Sequence, residues 1–228
     1  MVIMRGSSTG GTSPKYLYRT SPGETPGSLF CAATVILSGE DDTEDGMKLG
    51  RPVLRYKRRD QKVAPNETLV FIDGSCPRNG MFGSVGTCCV VCEPFESTRA
   101  IDDAIPAEKH GHAEETNLPE HTSGVSPEYC PATINRAKLY AAILALNAQP
   151  WAEQGVKTLV VATDLEYVVS GITNWVWRWR TNGWRVSKGK PVANRDLWEE
   201  LIEHVEDLEE SRVSVKFWKT ARPASLGA

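Results

Sequence analysis

Two short runs rich in β-branched residues each end on an aspartate: LVFID at 69–73 and TLVVATD at 158–164. Apolar runs this short, without strict alternation, read as strands buried on both faces. Between them Ala137, Ala141, Leu144 and Ala145 return at helical spacing, with Thr133 placed to cap the helix and Pro150 to stop it. Buried strands separated by a helix confine the chain to the α/β class. A Gly/Pro/Asn turn over 74–83 and a second strand over 86–92 follow the first run. Residues 93–128 carry nine acids against Arg99 and Lys109 and are expected to hold part of a third strand and then a long exposed loop. A short helix is predicted around 166–171. A further helix starts at Asn194, with Leu197, Trp198, Leu201, Ile202, Val205 and Leu208 inward, and a last strand spans 213–218. Ligands of open α/β sheets gather at the carboxyl ends of strands, which makes Asp73 and Asp164 candidate site residues.

The 228 residues suffice for one sizeable core. We expect a domain over 66–228, with an acidic loop around 93–130, and a disordered or loosely attached tail over 1–65. That tail holds an acidic patch, Glu40 to Asp45, and a basic one, Arg51 to Arg59. Hydrophobic residues at 40% and charged residues at 24% are ordinary globular composition. No apolar run has the length of a membrane-spanning helix, so no membrane is expected as a partner. The first 23 residues carry Arg5, Lys15 and Arg19 with no acid, a faint transit-peptide pattern against which a plain polar tail is favoured. The six cysteines are expected to be reduced in an intracellular protein, with nucleus, cytoplasm and mitochondrion left open. Cys88 and Cys89 are adjacent on a strand and point to opposite faces, and no zinc-type spacing ties them or Cys92 to His110, His112 and His121.

Several motifs carry a family resemblance. They are Ile72-Asp73-Gly74-Ser75-Cys76 with Asn79-Gly80, Asn135-Arg136-Ala137-Lys138-Leu139, Thr163-Asp164, Gly171 to Trp175, Asn182 to Trp184, Ser187 to Pro191 and Asn194 to Trp198. In order and spacing they resemble type 1 ribonuclease H, in its cellular form with a basic protrusion. The resemblance implies a five-stranded mixed sheet, antiparallel at its start and parallel in its continuation, flanked by helices. It implies endonucleolytic hydrolysis of the RNA strand of an RNA/DNA hybrid by two Mg²⁺ or Mn²⁺ ions ~4 Å apart. Four carboxylates hold those ions, because hard cations need oxygen ligands. Asp73 and Asp164 match two of them as metal and catalytic residues.

The other two do not match. Lys138 stands where the family has Glu. An ammonium has three donors and no acceptor, so it cannot bind a cation and is expected between Asp73 and Asp164 as an internal counter-ion. No acid follows Glu210 and no histidine follows His204, so neither the fourth carboxylate nor the family's mobile histidine has a counterpart. Ile134 and Leu165 replace polar residues beside the substrate path. The site charge falls from about four negatives to two negatives and one positive, so the ions should be weakly bound or absent and cleavage impaired or lost.

The nucleic-acid surface is fuller. No acid lies between Glu166 and Asp196, while Arg178, Arg180, Arg185, Lys188, Lys190 and Arg195 do, interleaved with Trp175, Trp177, Trp179 and Trp184. Cations neutralise phosphates and tryptophan faces pack on sugars or bases. The resemblance implies that Trp175, Trp179 and Ser187 border the DNA strand, and Arg180 and Lys188 are further candidate nucleic-acid-binding residues. It implies that Gly74, Ser75, Cys76, Asn79 and Asn135 approach the RNA strand. Trp177 and Trp184 are balanced between core and surface. The favoured reading is a monomeric domain binding RNA/DNA hybrid or structured nucleic acid. An active hybrid endoribonuclease with substitute ligands from Glu166 or the acidic loop, and a protein-interaction module using that loop, are the alternatives.

Overall fold

The computed structural model describes residues 15–37, 51–60, 66–92, 113–118 and 131–221. Its core is a mixed sheet. Strand β3 (Glu67–Ser75) pairs antiparallel with β4 (Thr87–Val91), which pairs antiparallel with β5 (Ala113–Asn117). On its other side β3 pairs parallel with β6 (Thr158–Thr163), which pairs parallel with β7 (Ser214–Lys219). This is the antiparallel start and parallel continuation expected from the sequence. The third strand lies at the end of the acidic stretch and reads AEETN, so no apolar run marks it. The rest of the acidic loop, with Cys130, His110, His112 and His121, lies outside the described residues.

Helix α2 (Ile134–Asn147) starts as the sequence predicts, with the Thr133 hydroxyl accepting from the Arg136 N–H at 3.2 Å. Its small buried face, Ala137, Ala141, Ala142 and Ala145, lets it lie close on β3 and β4. Helix α5 (Arg195–Glu210) buries Leu197, Trp198, Leu201, Ile202 and Val205. Asn194, read as the start of α5, does not cap it with its side chain and takes a left-handed φ of 59°. Its amide instead accepts from Arg136 and donates to the Tyr167 hydroxyl at 3.1 Å.

Where the sequence suggests a helix ending near Gly171, the backbone stays helical to Thr181. Helix α3 (Glu166–Ser170) runs through a π-helical turn (Gly171–Trp175) into α4 (Val176–Thr181). Gly171 has ordinary helical angles, φ −59° and ψ −58°. A Cβ there would lie 2.0 Å from the Trp198 ring, so this glycine marks a close approach and not a stop.

Alternation along β3 builds two faces. Val70 and Ile72 join the helix-side core, while Leu69 and Phe71 join a second cluster with Val91, Val160, Ala162 and Trp218. Part of the stretch read as a tail covers that second face. A short helix, α1 (Pro26–Leu29), leads into β1 (Phe30–Leu37), which pairs antiparallel with β2 (Arg51–Arg58). β2 meets β3 at Tyr56↔Leu69 and Lys57↔Thr68, extending the expected five strands to seven. Tyr18 and Phe30 are buried against Trp218, with ring centroids 5.2 and 6.4 Å away. A parallel bridge, Leu17↔Phe217, ties the same segment to β7. Burial pushes the Cys88 thiol up to about 12, keeping it an uncharged core side chain.

Candidate functional site

Asp73 sits near the carboxyl end of β3 and Asp164 follows β6; these parallel neighbours present both acids at one end of the sheet. The next residue, Gly74, passes so close to α2 that a Cβ would lie 2.9 Å from Ala137 and from the Lys138 backbone nitrogen. The Asp73-Gly74 pair is therefore a steric requirement: only glycine lets the strand end and the helix meet here.

That contact delivers Lys138. Its side chain is almost fully buried, and its Nζ lies 2.9 Å from Asp73 Oδ1 and also contacts Asp164 Oδ1. Asp73 is buried too, while the Asp164 side chain is one-third exposed. One ammonium thus bridges the two acids. Coulomb attraction in this interior is set against the desolvation of both partners, so the arrangement fixes position more than it adds stability.

Tested against two hard divalent cations, this donor set does not fit. Two carboxylates and an ammonium leave net charge −1, and the cation's place between the acids is filled by an N–H donor. Among the described residues no cluster of three or more His, Cys, Asp or Glu side chains is placed to hold a metal ion. Glu166, the substitute considered from sequence, faces Lys219 at 3.5 Å and the Ser170 hydroxyl instead. The register places Glu115 in the row of Asp73 and Cys89, two strands from Asp73. Two strand spacings put its backbone ~10 Å from that of Asp73.

The residues expected near an RNA strand form one locus around the start of α2. Ser75 is exposed, Gly74 is buried, and the Cys76 thiol contacts the Ala132 carbonyl at 3.3 Å. Asn79 accepts from the Ile134 N–H at 2.8 Å, so its side-chain oxygen caps α2; Asn135 beside it is half-buried. Met81, Phe82 and Val85 in the same turn are exposed, an apolar edge that turn chemistry alone did not reveal.

The basic segment is built on stacked aromatics. Trp179 lies 5.8 Å from Trp175, 6.3 Å from Trp184 and 5.8 Å from Trp198. Trp175 is the exposed member, and Trp184 is buried. Trp177 stacks on Tyr16 at 5.3 Å and donates to the Ile172 carbonyl, which makes it structural. Tyr167, missed from sequence, is the hub: its hydroxyl meets the Trp198 indole N–H at 3.0 Å and the Asn194 amide at 3.1 Å. Arg180 pairs with Glu206 at 2.5 Å and lies over Trp177. Ser187 and Lys188 are exposed on a tight turn closed by Val186 N–H to Lys190 O at 2.9 Å.

A mixed sheet with this order, helices α2 and α5 on one face, aspartates on the ends of its central strands and a basic aromatic protrusion defines a type 1 ribonuclease H-like domain. The RNase H family model matches residues 65–220. The chain belongs to the RNase H family. It is 35% identical over 137 residues to a ribonuclease H of Roseobacter denitrificans, covering 60% of this chain and 74% of that one. It is 31% identical over 142 residues to ribonuclease HI of Haemophilus influenzae, covering 62% and 72%. Among solved structures it is similar to LC9-RNase H1, a type 1 RNase H with the type 2 active-site motif. That similarity is 23% identity at a TM-score of 0.44, covering 68% of this chain and 64% of that one.

Proposed function

We propose that this domain binds RNA/DNA hybrids and that hydrolysis of the RNA strand is severely impaired or lost. The observation that carries the proposal is the Lys138 ammonium lodged between Asp73 and Asp164. A two-metal reaction uses those carboxylates to hold one ion that activates water and another that stabilises the leaving oxygen. Here both are already engaged by a cation that can do neither. Binding draws on different residues. Lys188, Lys190, Arg178 and Arg185 stand exposed in the basic segment that also carries Trp175, and neutralising phosphates there releases counterions. Ser75, at the end of β3, and Asn135, in the first turn of α2, supply polar groups for the second strand.

The test is paired on one preparation: cleavage and binding of a short RNA/DNA hybrid with Mg²⁺, with Mn²⁺ and with chelator. Binding that falls steeply with salt, without cleavage, is the expected result. Replacing Arg185 and Lys188 by Ala should weaken binding across sequences and flatten the salt slope by ~1 for each phosphate no longer neutralised. Chelator-sensitive cleavage would overturn the catalytic half of the proposal. Absence of both activities would overturn the binding half and favour a protein-interaction role.

A further inference from the structure

We propose that Lys138 is a built-in monovalent stand-in for a bridging metal ion, so that Asp73 and Asp164 are held together without metal and the wild-type site rejects divalent cations. Position 138 alone then decides which cation the site takes. The inference concerns the carboxylates of the proposed function but is independent of hybrid binding, since it is read with no nucleic acid present.

The geometry comes from three elements fixed separately. β3 delivers Asp73, the end of β6 delivers Asp164, and α2 delivers Lys138. The helix cannot slide, because Gly74 already lies against the backbone of Ala137 and Lys138. Ala137 and Leu139, both fully buried, seat the flanking positions. The side chain of Lys138 is therefore aimed and enclosed, and its nitrogen contacts one oxygen of each aspartate. Two carboxylates within contact distance of a single point are what a bridging cation requires. A lysine this buried is tolerated only with anionic partners.

Rejection of a divalent ion follows from charge and space. An ion entering between the aspartates would have to displace the ammonium or sit beside it. The ammonium is enclosed, and a +1 and a +2 charge a few ångströms apart repel strongly in a medium of low polarity. Lys138→Glu reverses this. Three carboxylates then converge with net charge −3 and no internal cation. Glutamate is shorter than lysine, and a bridging ion with metal–oxygen distances near ~2.1 Å fills the difference.

The experiment uses the full chain. Thermal melts are recorded for wild type, Lys138→Glu and Lys138→Met in chelator and in increasing Mg²⁺ or Mn²⁺ at constant ionic strength. Bound Mn²⁺ is counted by water-proton relaxation. Wild type should show no saturable Mn²⁺ site and the same melting temperature with chelator as with metal. Lys138→Glu should melt lower than wild type in chelator and recover saturably with Mn²⁺. Lys138→Met, with two carboxylates and no third ligand, should melt lower and recover less. A wild-type Mn²⁺ site abolished by Asp73→Asn would overturn the inference. So would a folded Lys138→Glu protein that binds no Mn²⁺, or one that stays unfolded even with Mn²⁺ present. Loss of hybrid binding with these metal results intact would overturn the proposed function alone.

Discussion

Gly171→Ala is the substitution whose sign separates local propensity from tertiary packing. Gly171 has helical angles, so alanine would meet no backbone strain and would improve the helix by ~1 kcal/mol in open space. The space is not open. A Cβ would lie 2.0, 2.5 and 2.9 Å from three ring carbons of Trp198, where ordinary contact is ~3.5 Å or more. Trp198 is fully buried and cannot swing away, because Tyr167 and Trp179 pack on it at 5.3 and 5.8 Å and its N–H is held by the Tyr167 hydroxyl. Overpacking of this kind costs ~2–3 kcal/mol, so the net destabilisation is about 1–2 kcal/mol. For a domain of this size that lowers the melting temperature by ~2–8 °C. Circular dichroism melts measure it, and the near-ultraviolet bands should change because displacing Trp198 moves Trp179 and Trp175 with it. Adding Trp198→Leu should make Gly171→Ala harmless, since the atoms it strikes are gone. A melting temperature that rises in the single variant would refute the reasoning, because helix propensity would then have outweighed the ring contact.

Two further outcomes follow from the fold. Phe30→Ala in the full chain should cost ~3 kcal/mol, since Phe30 is 2% exposed against Tyr18 and Trp218; an unchanged denaturant midpoint would return residues 15–37 to the status of a tail. The Glu200 carboxyl is pushed up chiefly by burial, with Asp196 and Glu203 adding to the rise and His204 opposing it. The folded state therefore binds this proton more tightly than the unfolded one, and stability is lost as pH rises through the raised value. Glu200→Gln should melt above wild type at pH 7, with the gap closing once pH falls below the ordinary carboxylate range; a gap independent of pH would show that the charge is not its cause.

The parts of the fold that were legible in sequence are those set by local chemistry. Thr133 caps α2 and the alanine face behind it seats the helix, as the spacing indicates. Asp73 and Asp164 terminate neighbouring parallel strands, and buried Lys138 meets both. What escaped depends on distant partners. Phe30–Leu37 has the composition of a strand, but its mate, Arg51–Arg58, is basic and reads as linker until β3 and Trp218 provide a surface to cover. Strand β5 is polar because register, not an apolar run, places it beside β4. Gly171 reads as a stop until Trp198, 27 positions away, is seen to occupy the space of its missing side chain. Asn79 carries a similar lesson: it lies where a nucleic-acid contact is expected, and its side-chain oxygen is used to cap α2.

The two aspartates and Lys138 are joined in a way that bears on any attempt to load the site with a divalent ion. Two anions meet the buried Lys138 nitrogen, and that ammonium meets an oxygen of the buried Asp73. Together they form a polar tie between β3, the end of β6 and α2. The charge at position 138 therefore governs the site ahead of any other departure from the family pattern. Supplying a further carboxylate from elsewhere would bring another anion to an ammonium already shared by two, and that would tighten the tie instead of opening a place for a divalent ion. Exchange of the ammonium itself has to come first, and cation binding should appear at that step, before any cleavage does.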